Sequence, residues 1–311
     1  MNINSLGSRI IEKYKLYMAS AKIRLRELFD AASQNGASAP IFIVGCGRSG
    51  TTILGTTLAQ NCQITLLNER RDLWISAYPQ TDVWASQAAA RGSKIILKRT
   101  DATAQQNRRL RRTFRFELAK SRKSILLEKL PINSFRLDFI ESIFPEARFI
   151  HIHRNGIDVA RSIERFCVRH QWYGCDGYKW EQLRQVAELR ATTRELPSLC
   201  KGNFEKALLE WRLSTEEVVR FFTAISASRW VEISYDDLVD DPVASIQRVL
   251  AFIGASSDPA VIAFAEQHIA RRTARSKLTA LSDRERILGG PLLPISVSGV
   301  SELTRHASGL V

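Results

Sequence analysis

The stretch IFIVGCGRSGTTILGTTL, residues 41–58, reads as a strand, a phosphate-binding loop and a helix in succession. Ile41, Phe42, Ile43 and Val44 form the unbroken apolar run of a strand buried on both faces. Gly45, Gly47 and Gly50 let the backbone turn back so that several N–H groups converge on an anion, and Thr51 and Thr52 open the helix with hydroxyls where its dipole is positive. Gly45 and Gly50 keep the GxxxxG spacing of a Walker A motif, but Thr51 stands where the nucleotide-binding lysine belongs. The cation is Arg48 instead, inside the loop, and its guanidinium can fork two oxygens of a phosphate or sulfate. An anion site at a strand end follows, without the ordinary signature of an ATP site.

The whole chain is in keeping with such a site. Its 311 residues, 45% hydrophobic and 25% charged, can bury one sizeable core. The net charge of +13, from 45 Lys and Arg against 32 Asp and Glu, implies an anionic ligand, polymer or surface. Cys46, Cys62, Cys167, Cys175 and Cys200 are odd in number and lack CxxC spacing, so they read as free thiols of a reducing compartment. No run approaches the ~20 apolar residues of a membrane span.

Two further strands carry charged ends. Residues 124–130, SILLEKL, finish on Lys129 just before Pro131; residues 148–154, RFIHIHR, finish on Arg154 before an Asn155-Gly156 turn. In a doubly wound sheet the carboxyl ends of strands surround the ligand crevice, so both cations face the place where the glycine loop sits. Ser162 lies eight residues beyond Arg154, in the helix that follows, within reach of the same phosphate.

GCGRSGTTIL resembles the 5′-phosphosulfate loop of sulfotransferases that use 3′-phosphoadenosine 5′-phosphosulfate (PAPS), in the GxPRSGTT branch that includes tyrosylprotein sulfotransferases and bacterial carbohydrate and lipid enzymes. Gly47 stands where that branch has proline. FPEARFIHIHRNGIDVARSI is similar to the family's 3′-phosphate segment; residues 229–238, RWVEISYDDL, read as a further strand that ends in YDDL, similar to the family's YEDL. The resemblance spans roughly residues 40–255 and implies an α/β, P-loop-containing three-layer sandwich with a mostly parallel sheet. It implies that Gly47, Arg48, Ser49, Gly50, Thr51 and Thr52 hold the 5′-phosphosulfate, that Arg154 and Ser162 hold the 3′-phosphate, and that Tyr235 contacts the nucleotide. Lys129 would support the bridging oxygen. The reaction would be sulfuryl transfer to a hydroxyl of a glycan, a lipid or a small metabolite, with a peptide tyrosine as the alternative, and it requires no metal. PAPS then accounts for part of the positive charge, and no nucleic-acid partner is expected.

The acceptor must lose a proton as it attacks sulfur. Glu69 lies 21 residues beyond Arg48, the separation at which tyrosylprotein sulfotransferases carry their proposed base. The competing expectation is a carboxylate paired with Arg70 or Arg71; Glu128 and Asp72 are the other candidates. Trp172, Tyr173, Tyr178 and Trp180 suit an acceptor site; Trp74, Tyr78 and Trp84 either line an acceptor pocket or, the favoured reading, anchor a long loop. His151 and His153 alternate on their strand and read as packed or hydrogen-bonded groups.

Residues 1–30 are patterned as a basic amphipathic helix, followed by a linker to residue 39; the sulfotransferase domain takes residues 40–311. That helix suits packing on the domain, a second subunit in a homodimer, or peripheral contact with an anionic inner membrane face. Without a membrane anchor, a bacterial cytoplasmic enzyme is expected. Residues 93–99 read as a strand, residues 104–123 as an arginine-covered helix. Two rival readings remain at this stage: an atypical P-loop kinase, in which Arg154 and Ser162 have no task, and a non-catalytic protein that binds nucleotides or polyanions.

Overall fold

The computed structural model describes residues 39–269 and 282–290. The expected helix over residues 1–30 lies outside them, as do Arg271, Arg272, Arg275 and Lys277, which open a basic C-terminal stretch that continues through Arg284 and Arg286.

Five strands, β1 (Ile41–Val44), β2 (Ile64–Asn68), β3 (Ile125–Lys129), β4 (Arg148–His153) and β5 (Trp230–Ser234), form one sheet in the order β2-β3-β1-β4-β5, with every pairing parallel. Parallel strands buried on both faces require alternate residues to serve two cores, and β1 shows this directly. Phe42 and Val44 enter one core with Trp74, Phe114, Phe149 and Trp211, while Ile41 and Ile43 enter the other with Leu54, Leu58, Ile233 and Val249. The first core is covered by helices Arg71–Ala77, Ala104–Ser121, Leu137–Ile143, Gly156–Cys167 and Asn203–Ala224; the second by Thr51–Leu58, Pro242–Ile253 and Pro259–His268. The result is the expected three-layer α/β sandwich.

The chain leaves β1, runs to the far edge at β2, returns through β3, and then crosses β1 to β4. The strand order therefore reverses around β1, which opens a crevice above its carboxyl end. Register places the ends together: Asn68 lies opposite Lys129, Ile43 opposite Lys129 on the other side, and His153 opposite Ser234.

Residues 93–99 are not a strand. Their burial alternates, with Ile95 and Leu97 inside, but no strand among the described residues pairs with them. Side chains satisfy the backbone instead: the Ile95 N–H donates to Gln182 Oε1, and the buried Arg136 guanidinium donates to the carbonyls of Thr81, Lys94 and Ile95. A period of two reports a two-faced extended chain, not a ladder partner. YDDL likewise does not end a strand; β5 stops at Ser234, whose Oγ caps helix Tyr235–Asp240 by accepting from the amides of Asp236 and Asp237. Trp74 and Tyr78 are core residues, packed against Phe139.

Candidate active site

Gly45 needs both its φ of 143° and its missing side chain, because a Cβ there would stand 2.3 Å from the Ile152 carbonyl oxygen of β4. Its amide donates to Ser134 Oγ at 2.8 Å, which ties the start of the loop to the turn after β3. Gly50, at φ 99°, caps α1 (Thr51–Leu58) with no side-chain acceptor. The first amides of α1 are thus left for an anion. Arg48 holds a left-handed backbone, φ 73°, as does Glu69 with φ 53°. Two non-glycine residues in that region, both at one crevice, mark a site where geometry is imposed.

Lys129 is fully buried at the end of β3, on the α1 side of the sheet. Its Nζ donates to Glu69 Oε1 at 2.5 Å and to Thr52 Oγ1 at 3.0 Å. Glu69 is held from its backbone too, its N–H donating to the Lys129 carbonyl at 2.7 Å. Its partner is therefore neither neighbouring arginine: Arg70 pairs with Asp72 at 2.8 Å, and Arg71 with Asp82 at 2.5 Å. Asp72 is thereby committed to Arg70, whose guanidinium holds its carboxyl below the ordinary range. Glu128 points to the opposite core, where its carboxylate accepts from Trp74 Nε1 and Asn133 Nδ2, and burial pushes its pKa up to about 8. Of the three carboxylates considered as a base, only Glu69 stands at the crevice.

Arg48, Arg154, Ser162 and Tyr235 gather at the end of β4. Arg48 Nε donates to Ser162 Oγ at 3.2 Å and its guanidinium lies 5.2 Å from the centre of the Phe166 ring. The Arg154 guanidinium lies 4.3 Å from the centre of the Tyr235 ring, and its backbone carbonyl accepts from Trp211 Nε1. Tyr235 also closes on the loop, since a Cβ at Gly50 would meet its ring at 2.4 Å. Ser49 is turned inward: it is buried, and its amide donates to the Cys46 carbonyl. His151 and His153 face Glu232 at 3.5 and 3.3 Å, and burial takes His153 down to about 4.

A cavity of about 260 Å³ adjoins the loop, lined among others by Gly47, Arg48, Thr52, Glu69, Trp84 and Trp172. Of the expected acceptor aromatics only Trp172 reaches it; Tyr173 is buried, Tyr178 donates its hydroxyl to the Ser93 carbonyl, and Trp180 packs on Tyr173. Trp84, expected to be a loop anchor, lines it and also donates from Nε1 to the Trp172 carbonyl. Lys179 and Glu210 in its wall escaped the sequence reading. Their signal was faint: single charges beside Trp180 and Trp211.

Residues 40–259 match the family described as the sulfotransferase family, and the chain belongs to it. It is 28% identical over 259 residues to Nodulation protein NoeE of Sinorhizobium fredii, covering 78% of this chain and 55% of that one, so it spans about half the length of that curated relative. Among solved structures, the sulfotransferase domain from the curacin biosynthetic pathway aligns over 88% of this chain and 98% of its own at 14% identity, TM-score 0.46. Sulfotransferase STF9 from Mycobacterium avium aligns over 90% and 78% at 14% identity, TM-score 0.48.

Proposed function

We propose that the protein transfers the sulfuryl group of PAPS to an acceptor hydroxyl seated in the cavity beside the loop. The observation that carries this reading is the Glu69–Lys129–Thr52 contact, which puts a carboxylate, an ammonium and the phosphate loop within 3.0 Å links of one another. The donor set suits a bisphosphorylated nucleotide: uncapped α1 amides and Arg48 for one anionic group, Arg154 with Ser162 for the second, and the Tyr235 ring beside them.

In the reaction the acceptor oxygen bonds to sulfur while the bond between sulfur and the bridging phosphate oxygen breaks. Glu69 takes the acceptor proton. Lys129, Arg48 and the loop amides meet the charge that appears on the departing 5′-phosphate. Lys129 has a third N–H beyond those given to Glu69 and Thr52, so it can turn to that oxygen while the contact with Glu69 loosens. The acceptor class we favour is a hydroxyl on a glycan, a lipid or a small metabolite; a peptide tyrosine is second, on the position of Glu69. The five free cysteines favour a reducing, cytoplasmic setting.

Calorimetric titration with adenosine 3′,5′-bisphosphate (PAP), ADP and Mg-ATP tests the donor. Micromolar-range binding of PAP, absent with ADP and weakened about 10- to 100-fold by Arg154→Ala, is the expected result. Tighter binding of Mg-ATP would overturn it in favour of a kinase.

A further inference from the structure

Gly47 is a glycine because of a neighbour and not because of its own backbone: it is absent from the positive-φ glycines that include Gly45 and Gly50. A Cβ at Gly47 would stand 2.5 Å from Cη2 and 3.0 Å from Cζ2 of Trp172. Four contacts hold Trp172 in place, three of them on the indole. Its Nε1 donates to Glu210 Oε2 at 2.8 Å, its backbone carbonyl accepts from Trp84 Nε1 at 3.1 Å, the Phe166 ring meets it edge-on at 5.5 Å, and the Lys179 ammonium lies 4.4 Å from its ring centre. Lys179 and Glu210 are a 2.6 Å ion pair with side chains 3% and 5% exposed. Moving Trp172 would strip a hydrogen bond from a buried carboxylate.

The same indole lines the cavity, and Phe166 beneath it carries the Arg48 guanidinium. We propose that Trp172 is a positioning residue for the donor loop: its clamped ring, reached from the acceptor-cavity side, fixes residues 47–48 in the arrangement that binds the donor. The proposal rests on the donor reading above.

The test is a double-mutant cycle on PAP affinity with wild type, Gly47→Ala, Trp172→Phe and the double variant, each checked by thermal unfolding. Phenylalanine lacks the Cη2 and Cζ2 that meet position 47 but keeps a ring, and Lys179 still pairs with the Glu210 carboxylate that loses the indole N–H, so this variant should be weakened but stay folded. Gly47→Ala should weaken PAP binding by about tenfold or more, and by less than about threefold once Trp172 is Phe. Additive losses, or losses confined to melting temperature with PAP affinity unchanged, overturn the positioning role while leaving the donor reading intact. Failure of the wild type to bind PAP overturns both.

Discussion

Lys129 and Glu69 share a 2.5 Å contact in which the ammonium is fully buried and the carboxylate side chain is 53% exposed. One partner is anchored inside the sheet and the other opens to the crevice. Such an asymmetric pair gives each residue a separable kinetic signature. Glu69→Gln should lower kcat by about 10²- to 10⁴-fold with PAP affinity within about threefold of wild type. Lys129→Ala should lower both kcat and donor affinity, because in the proposed mechanism it removes the cation that meets the leaving oxygen. Single-turnover transfer from labelled PAPS, once an acceptor is found, checks the first; calorimetry checks the second.

The Tyr235 ring, not its hydroxyl, contacts Arg154 and Gly50. Tyr235→Phe should therefore bind PAP within about twofold of wild type. Tyr235→Leu should lose about threefold to tenfold, the range of an exposed to partly buried cation–π contact. Equal losses for the two substitutions would assign the role to the hydroxyl.

Glu128 predicts the pH dependence of stability. Its folded pKa, about 8, stands above the ordinary 4.5, so between these values the folded state keeps a proton that the unfolded state has released. The contribution is fully present below pH 4.5 and is lost as pH rises through 8. Glu128→Gln, which mimics the protonated acid toward Trp74 and Asn133, should flatten this decline and raise stability at pH 8 by about 1–3 kcal/mol. Urea unfolding of both proteins from pH 5 to 8.5 reads the difference; parallel curves would refute it.

Gly45→Ala should be the most damaging single methyl addition to the loop. The clash at 2.3 Å is with a backbone oxygen of interior strand β4, which cannot rotate away, and φ 143° is itself a glycine conformation. A loss of about 3 kcal/mol or more, or failure to accumulate soluble protein, is expected. A melting temperature equal to wild type would mean that β1 and β4 can separate.

Much of this was legible beforehand because it depends on local chemistry. The apolar run before Gly45, the threonines after Gly50, and the cations at the ends of residues 124–130 and 148–154 each announce a strand end or an anion group on their own. The parallel sheet then brings those ends together as a matter of topology. Where local pattern underdetermined pairing, expectation and structure parted: Ile95 and Leu97 alternate like a strand but are served by Arg136 and Gln182, and YDDL begins a helix because Ser234 caps it.

The order of the strands' chemistry along the chain was thus set by the sequence, through glycines, prolines and hydrophobic runs that act on their own neighbours. Which groups meet was decided only by the folded molecule. Glu69 turns to Lys129 and not to Arg70, Glu128 is driven toward its neutral form beside Trp74, and Lys179 with Glu210 pins Trp172 against Gly47. Periodicity records that a face is buried; the partner across it, and the desolvation it imposes, arise from contacts between residues far apart in the chain.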